Sequence, residues 1–180
     1  MNLELTNAEY AVLGLLMERP SHGYDLEKTI QERGMREWTE LAFSSIYFIL
    51  NRLKKRGLAE SEPDPLKATR KLFRPTKTGR VAFEKATVTA LAEPHPLYPS
   101  ILLGLANWPA IGREAARQAL NARGRALRAI LANVEAAERR AMTAPAHVGA
   151  LFDYSRSQLR AEIDWLDRTI ARLGETDEQD

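Results

Sequence analysis

Cysteine is absent from this 180-residue chain. That absence excludes disulfides, thiolate zinc sites, iron–sulfur clusters and cysteine nucleophiles together, and it fits a reducing compartment. Histidine is scarce: His22, His95 and His147 are too few and too scattered for a metal cluster. No apolar run reaches the roughly 18 residues of a membrane span. The opening, Met1-Asn2-Leu3-Glu4-Leu5, lacks the basic segment of a secretory leader. A cytoplasmic protein with no membrane attachment is therefore expected. Also missing are a glycine-rich phosphate loop, a nucleophile elbow and metal-ligand spacing. Neither an enzyme nor a bound cofactor is expected.

What the chain does have is segregated charge. The overall balance is +2. Residues 1–50 carry 4 Lys/Arg against 8 Asp/Glu, residues 51–85 carry 11 against 4, and residues 86–180 carry 11 against 12. A basic block inside a near-neutral chain points to a polyanionic partner; a merely solvated face is the alternative.

Helical punctuation is clear in the first half. Thr6-Asn7-Ala8-Glu9 has the form of a capping box, with Leu5 and Tyr10 placed for a hydrophobic staple. The helix it opens runs to about Met17 and ends at Arg19-Pro20. A second helix is predicted from Gly23 to Arg33, with Ser21 as N-cap and Gly34 just past its end. Trp38 and Leu41 lie in the connection, Trp38 as an expected core residue. A third helix from Ser44 to Arg56 buries Ile46, Leu50 and Leu53 and stops at Gly57. The period then changes. Residues 57–62 and 70–74 read as a hairpin around Pro63-Asp64-Pro65. Thr76 or Thr78 caps a fourth helix running to about Leu91 through Val81, Ala82, Lys85 and Val88. Three helices followed by a hairpin describe a winged helix–turn–helix.

Three prolines within residues 93–99 mark a linker. The predicted organisation is a winged-helix domain over 1–92, a linker over 93–99, a helical dimerisation domain over 100–173 and an acidic tail over 174–180. The fold class is mainly α. Beyond the linker, helices are predicted over about 100–107, 110–142 and 146–173. Leu120, Leu127, Leu131 and Val134 share one face of the long middle helix. In the last helix Leu159, Ile163, Leu166, Ile170 and Leu173 recur at intervals of 4, 3, 4 and 3, with Phe152 one heptad earlier. That spacing fits an a/d seam for a second copy of the chain. It also fits an amphipathic helix packed within its own subunit.

Tyr10-Ala11-Val12-Leu13-Gly14-Leu15-Leu16 and Pro20-Ser21-His22-Gly23-Tyr24-Asp25-Leu26 resemble the opening of PadR-type transcriptional regulators. So do Ser45-Ile46-Tyr47 with Leu50, Leu53, Gly57 and Leu58, and the run Phe73-Arg74-Pro75-Thr76-Lys77-Thr78-Gly79. Glu162-Ile163-Asp164-Trp165-Leu166 is similar to that family's final dimerisation helix. The chain departs from the pattern at three positions: Phe48 replaces the usual proline, Phe73 a tyrosine and Pro75 an aliphatic residue. Pro75 lacks a strand N–H, so the wing is expected to be short at its base. The resemblance implies a dimeric DNA-binding regulator, most often a repressor, with a small-molecule effector bound near the dimer interface.

In such an architecture the N-terminal part of the third helix enters the major groove. It offers Ser44, Ser45 and Tyr47, with Asn51 one turn on, as groups for phosphates and base edges. For Ser44 a plain cap and for Tyr47 partial core packing are the alternatives. His22 and Tyr24 stand at the start of the second helix, where a phosphate could sit; a local turn role is the alternative for His22. Lys67, Arg70 and Lys71 lie on the expected wing. Trp108 and Trp165 are effector-site candidates by aromatic stacking, or else core residues. The expected partners are double-stranded DNA, a second copy of the chain and a small-molecule effector. The expected function is sequence-specific repression at a pseudo-palindromic operator. A winged-helix protein-interaction module and a non-specific architectural DNA-binding protein are the competing readings.

Overall fold

The computed structural model describes residues 4–39, 41, 46–64, 70–94, 96, 98–141 and 143–175. The chain divides into two compact units, Met1–Pro96 and Leu97–Asp180.

In the first unit, helix α1 spans Asn7–Glu18. Its capping box is complete: the Thr6 hydroxyl accepts from the Glu9 amide, and the Glu9 carboxylate accepts from the Thr6 amide. Ser21 and His22 form a two-residue strand, β1, ahead of helix α2, Gly23–Glu32. Ser21 is thus not the N-cap of α2. It pairs with Phe73, its hydroxyl donates to the Arg19 carbonyl, and His22 holds the cap position instead. Gly34 takes the left-handed conformation expected just past the helix end, its amide bonded to the Gln31 carbonyl. A 3-10 turn, Met35–Glu37, follows. Trp38 departs from its expected core position. It is half exposed, while Leu41 is buried.

Helix α3 spans Ile46–Lys55. It ends in a Schellman motif: Gly57 N–H donates to the Lys54 carbonyl and Leu58 N–H to the Leu53 carbonyl, with Gly57 at φ +70°. Strands β2, Ala59–Pro63, and β3, Lys71–Pro75, form the hairpin, and β3 is central in the order β1-β3-β2. Pro75 does not shorten the base of this wing. It pairs with Ala59, and beyond it Thr76 N–H still donates to the Leu58 carbonyl. The bonded pairs therefore fall at even offsets from 58/76. Pro63 and Pro75 both occupy non-bonded sites of the ladder, where no N–H is needed toward β2.

Helix α4, Lys77–Ala92, is capped by Thr76, whose hydroxyl accepts from Gly79 N–H and donates to the Gly57 carbonyl. A Cβ on Gly79 would stand 1.9 Å from the Leu58 carbonyl oxygen, so only glycine fits. Ala82 is buried and Phe83 packs on the core, whereas Val81, Val88 and Leu91 are exposed. Val12, Leu16, Ile30, Leu50, Leu53 and Phe73 are among the residues that close the core of this unit. Phe73, where the family pattern has tyrosine, is buried there.

In the second unit, helix α5, Ile101–Asn107, leads through a 3-10 turn, Trp108–Ala110, into α6, Arg113–Arg140. Helix α7, Ala146–Glu175, runs antiparallel to α6. Arg123–Glu162, Arg128–Asp167, Arg160–Glu135 and Arg156–Glu138 tie the two along their length. Leu120, Leu127, Ile163 and Leu166 form the core of the pair. No helix among the described residues is long and apolar enough to cross a membrane.

Candidate nucleic-acid interface

The candidate surface is built on α3. Ile46, Ile49, Leu50 and Leu53 are buried and define its inner arc. With 3.6 residues per turn, Phe48, Asn51 and Lys55 then occupy the arc farthest from the core. Tyr47 and Lys54 flank that arc on one side and Arg52 on the other. Contacts agree on both flanks. A Cβ placed on Gly23 of α2 would meet the Tyr47 ring at 2.6 Å, so that ring lies flat over the glycine. On the other flank, the Arg52 Nε stands 3.1 Å from the Glu9 carboxylate of α1. Tyr47 and Phe48 remain 61% and 66% exposed.

Glu9 is the electrostatic anchor of α3. Its side chain is buried, yet it holds the guanidinium of Arg56 at 2.7 Å as well as Arg52 and the Thr6 amide. Burial alone would push this carboxyl up. The hydrogen bonds from Arg56 and Thr6, with the charges of Arg56 and Arg52, outweigh burial and hold it below its ordinary range. One of its oxygens, Oε1, has no well-aligned hydrogen-bond donor, so the Arg52 contact is coulombic rather than a directed bond. Arg74 is likewise paired, with Glu60 and Glu62 across the hairpin. The basic block is therefore less uniformly cationic than its composition suggests. Lys55, Arg70 and Lys71 are exposed and make no ion pair with any described residue.

His22 occupies a different place from a free phosphate donor. Its Nδ1 lies 3.0 Å from the Lys71 carbonyl oxygen and its Nε2 3.1 Å from the Asp64 carboxylate. Both neighbours are acceptors, so either ring nitrogen that carries a hydrogen can donate across this contact. The ring thus ties β1 to the hairpin and presents the wing beside α2 and α3. Tyr24, at the start of α2, is exposed. Asn51, Arg70 and Lys71 are exposed as well. Ser44, Ser45 and Lys67 lie outside the described residues. Phe48 was missing from the residues expected here. Its spacing from Ile46, Leu50 and Leu53 places it opposite the buried stripe, and that signal was already in the sequence.

In the second unit, Ile163 and Leu166 of the last helix are buried against α6 of the same chain, and Leu159, Ile170 and Leu173 pack around them half-buried. Phe152 is half-buried. Trp108 and Trp165 both pack on this cluster. Trp108 also borders two surface concavities. One, of about 280 Å³, includes Leu105, Ile111, Leu120 and Arg123; the other, of about 350 Å³, includes Arg113 and Leu173.

Three helices, a three-stranded sheet whose hairpin projects beside the third helix, and a separate pair of long helices define a winged helix–turn–helix protein with a helical second unit. Residues 12–85 match the transcriptional regulator PadR-like family. The structure of Bacillus subtilis PadR in complex with operator DNA superposes with a TM-score of 0.73 at 19% identity, covering 92% of this chain and 98% of that one. The same protein in complex with p-coumaric acid gives 0.76 at 18% identity, covering 94% and 99%. A PadR-like transcriptional regulator from Bacillus cereus gives 0.70 at 19%, covering 94% and 99%. No curated protein is significantly similar in sequence. Residues 12–85 thus match the PadR-like family model, and the chain shares its fold with solved PadR-type regulators.

Proposed function

We propose that this protein is a homodimeric repressor that binds a pseudo-palindromic operator through α3 and the β2–β3 wing. The observation that carries the reading is the outward arc of α3. Among the described residues no carboxylate pairs with Lys55 or bonds Asn51 there, beside a wing bearing Arg70 and Lys71. A major-groove reader needs such an arc, and phosphate contacts on either side need such cations. Tyr47 and Tyr24 flank the arc with hydroxyls suited to phosphate oxygens. Bacillus subtilis PadR, which shares this fold, is known in complex with operator DNA, which supports a DNA-binding use of it. The second copy is expected to associate through the helical unit; a pseudo-palindromic operator asks its two recognition helices to lie about one turn of DNA apart. We assign effector binding to the concavity beside Trp108. Its lining is mostly apolar with one guanidinium, Arg123, and suits a small aromatic acid; p-coumaric acid in Bacillus subtilis PadR is a ligand of that class.

The test is binding of the purified full chain to the DNA upstream of its own gene, against a scrambled duplex of equal length, across a salt series. Affinity falls with salt in both cases, with a slope near −0.9 per phosphate neutralised. Binding of the native duplex by more than about 10³-fold over the scrambled one establishes a specific regulator. Equal binding of both makes it an architectural protein, and no binding of either favours a protein-interaction module.

A further inference from the structure

Phe48 is a large apolar side chain standing two-thirds exposed on the outermost arc of α3, between the Tyr47 flank and the Arg52 flank. No described residue of the first unit covers it. The core faces the opposite side of the helix, through Ile46, Ile49, Leu50 and Leu53. Its neighbours on the same arc are Asn51 at i+3 and Lys55 at i+7, an amide and a cation that makes no ion pair with a described residue. An apolar group set among cations and an amide complements a surface that is anionic overall but carries local apolar points. The major groove of DNA has one such point, the C5-methyl group of thymine.

We propose that Phe48 is a specificity-determining residue that packs on thymine methyl groups, so that this protein selects a thymine next to the base pair read by Asn51. The inference rests on the DNA-binding reading given above and deepens it. The geometry fits adjacent base pairs. Residues i and i+3 lie about 4.5 Å apart along a helix axis, and base pairs stack about 3.4 Å apart. Asn51 pairs bidentately with adenine N6 and N7 at one step, and the Phe48 ring lies over the methyl at the next. Lys55, one turn further, meets the phosphate that borders the step. Phenylalanine has no hydrogen-bonding group, so it discriminates only through that methyl.

The experiment begins with selection of binding sites for the full chain from a randomised duplex pool. Each thymine of the enriched site is then replaced by deoxyuridine, which removes the methyl and nothing else. Wild type, Phe48→Ala and Asn51→Ala are titrated against every duplex. Wild type is expected to lose about threefold to fivefold in affinity at one or two positions in each half-site, the worth of one buried carbon. Phe48→Ala is expected to bind the thymine duplex more weakly by a similar factor and to ignore the uridine change at those positions. Asn51→Ala keeps the uridine penalty. Because Phe48 lies outside the core, unchanged circular dichroism accompanies its replacement. An enriched site that shows no uridine penalty overturns the role of Phe48 and leaves the regulator reading standing. A penalty of equal size in Phe48→Ala also overturns it, since another group then reads the methyl. Failure to enrich any site overturns the regulator reading and this inference with it.

Discussion

Glu9→Gln is nearly isosteric and removes one negative charge from beneath α3. The amide oxygen can take the place of Oε2 and still accept from Arg56 and the Thr6 amide. The amide nitrogen must then replace Oε1, where it faces the Arg52 guanidinium at what was a 3.1 Å contact. Donor now faces donor, and Arg52, half exposed, turns to water. Loss of the carboxylate charge turns the Arg56 ion pair into a hydrogen bond with one charged partner and costs about 1 kcal/mol. Loss of the Arg52 contact adds about 0.5–1 kcal/mol, as for a solvent-accessible ion pair. The total is about 2 kcal/mol at pH 7. Its pH dependence has a definite sign. The folded carboxyl titrates below its ordinary value near 4.5. Between the two values the unfolded chain holds more protons than the folded one, so this stabilisation is complete above the unfolded value and is lost as pH falls through the folded one. The gap between wild type and Glu9→Gln should therefore narrow on acidification. Urea melts at several pH values measure it. Hydrogen exchange of α1 and α3 amides assigns it to the first unit, which is needed because the two units need not unfold together. A difference below about 0.5 kcal/mol at neutral pH, or one that persists unchanged into acid, would refute the anchoring role.

Three further outcomes follow from contacts described above. Gly79→Ala should destabilise the first unit by about 3 kcal/mol, because its Cβ meets a backbone carbonyl that cannot swing away, and a urea midpoint shift at constant slope checks it. Gly23→Ala meets instead the Tyr47 ring, which can rotate outward; stability should change by less than about 1 kcal/mol, and operator titration should show weakened binding. Leu166→Ala should cost about 3 kcal/mol in the second unit, seen as faster exchange of α6 and α7 amides, since Leu166 is fully buried within its own chain. An aspartate at that position would unfold the helical pair and say little about dimerisation.

What could be read from sequence was local. The Thr6–Glu9 box and the glycines at 34 and 57 act within one helical turn, so their residues carried the whole signal. Glu9 was legible as a capping residue and illegible as the anchor of α3, because Arg52 and Arg56 reach it only after the chain folds back on itself. The strand at Ser21-His22 failed for the same reason. Two residues show no period, and their partners, Phe73 and Leu72, lie some fifty residues away. Trp38 is half exposed against expectation because size and apolarity argue for burial in general, while the shape of one connection decides the particular case. Pro75 looks like a defect in the sequence because the parity of the ladder depends on a register that composition does not contain. In the candidate site, Tyr47 and Asn51 are expected from their place near the start of α3, and the structure leaves both exposed. Phe48 was overlooked as a departure from a pattern, although the spacing of the buried stripe already placed it outside.

The division of α3 into an inward and an outward arc has a consequence for how such proteins diverge. The residues that hold this helix in place, Glu9, Gly23, Leu50, Leu53 and Gly57, are none of them on the outward arc. The three that face away, Phe48, Asn51 and Lys55, have no share in the core. A gene duplicate can therefore exchange all three, one at a time, with little penalty in folding at any step. On the DNA-binding reading proposed above, small sequence changes on an unaltered chassis then reach new operators. Relatives below 20% identity can then keep one architecture while no two of them need answer to the same site.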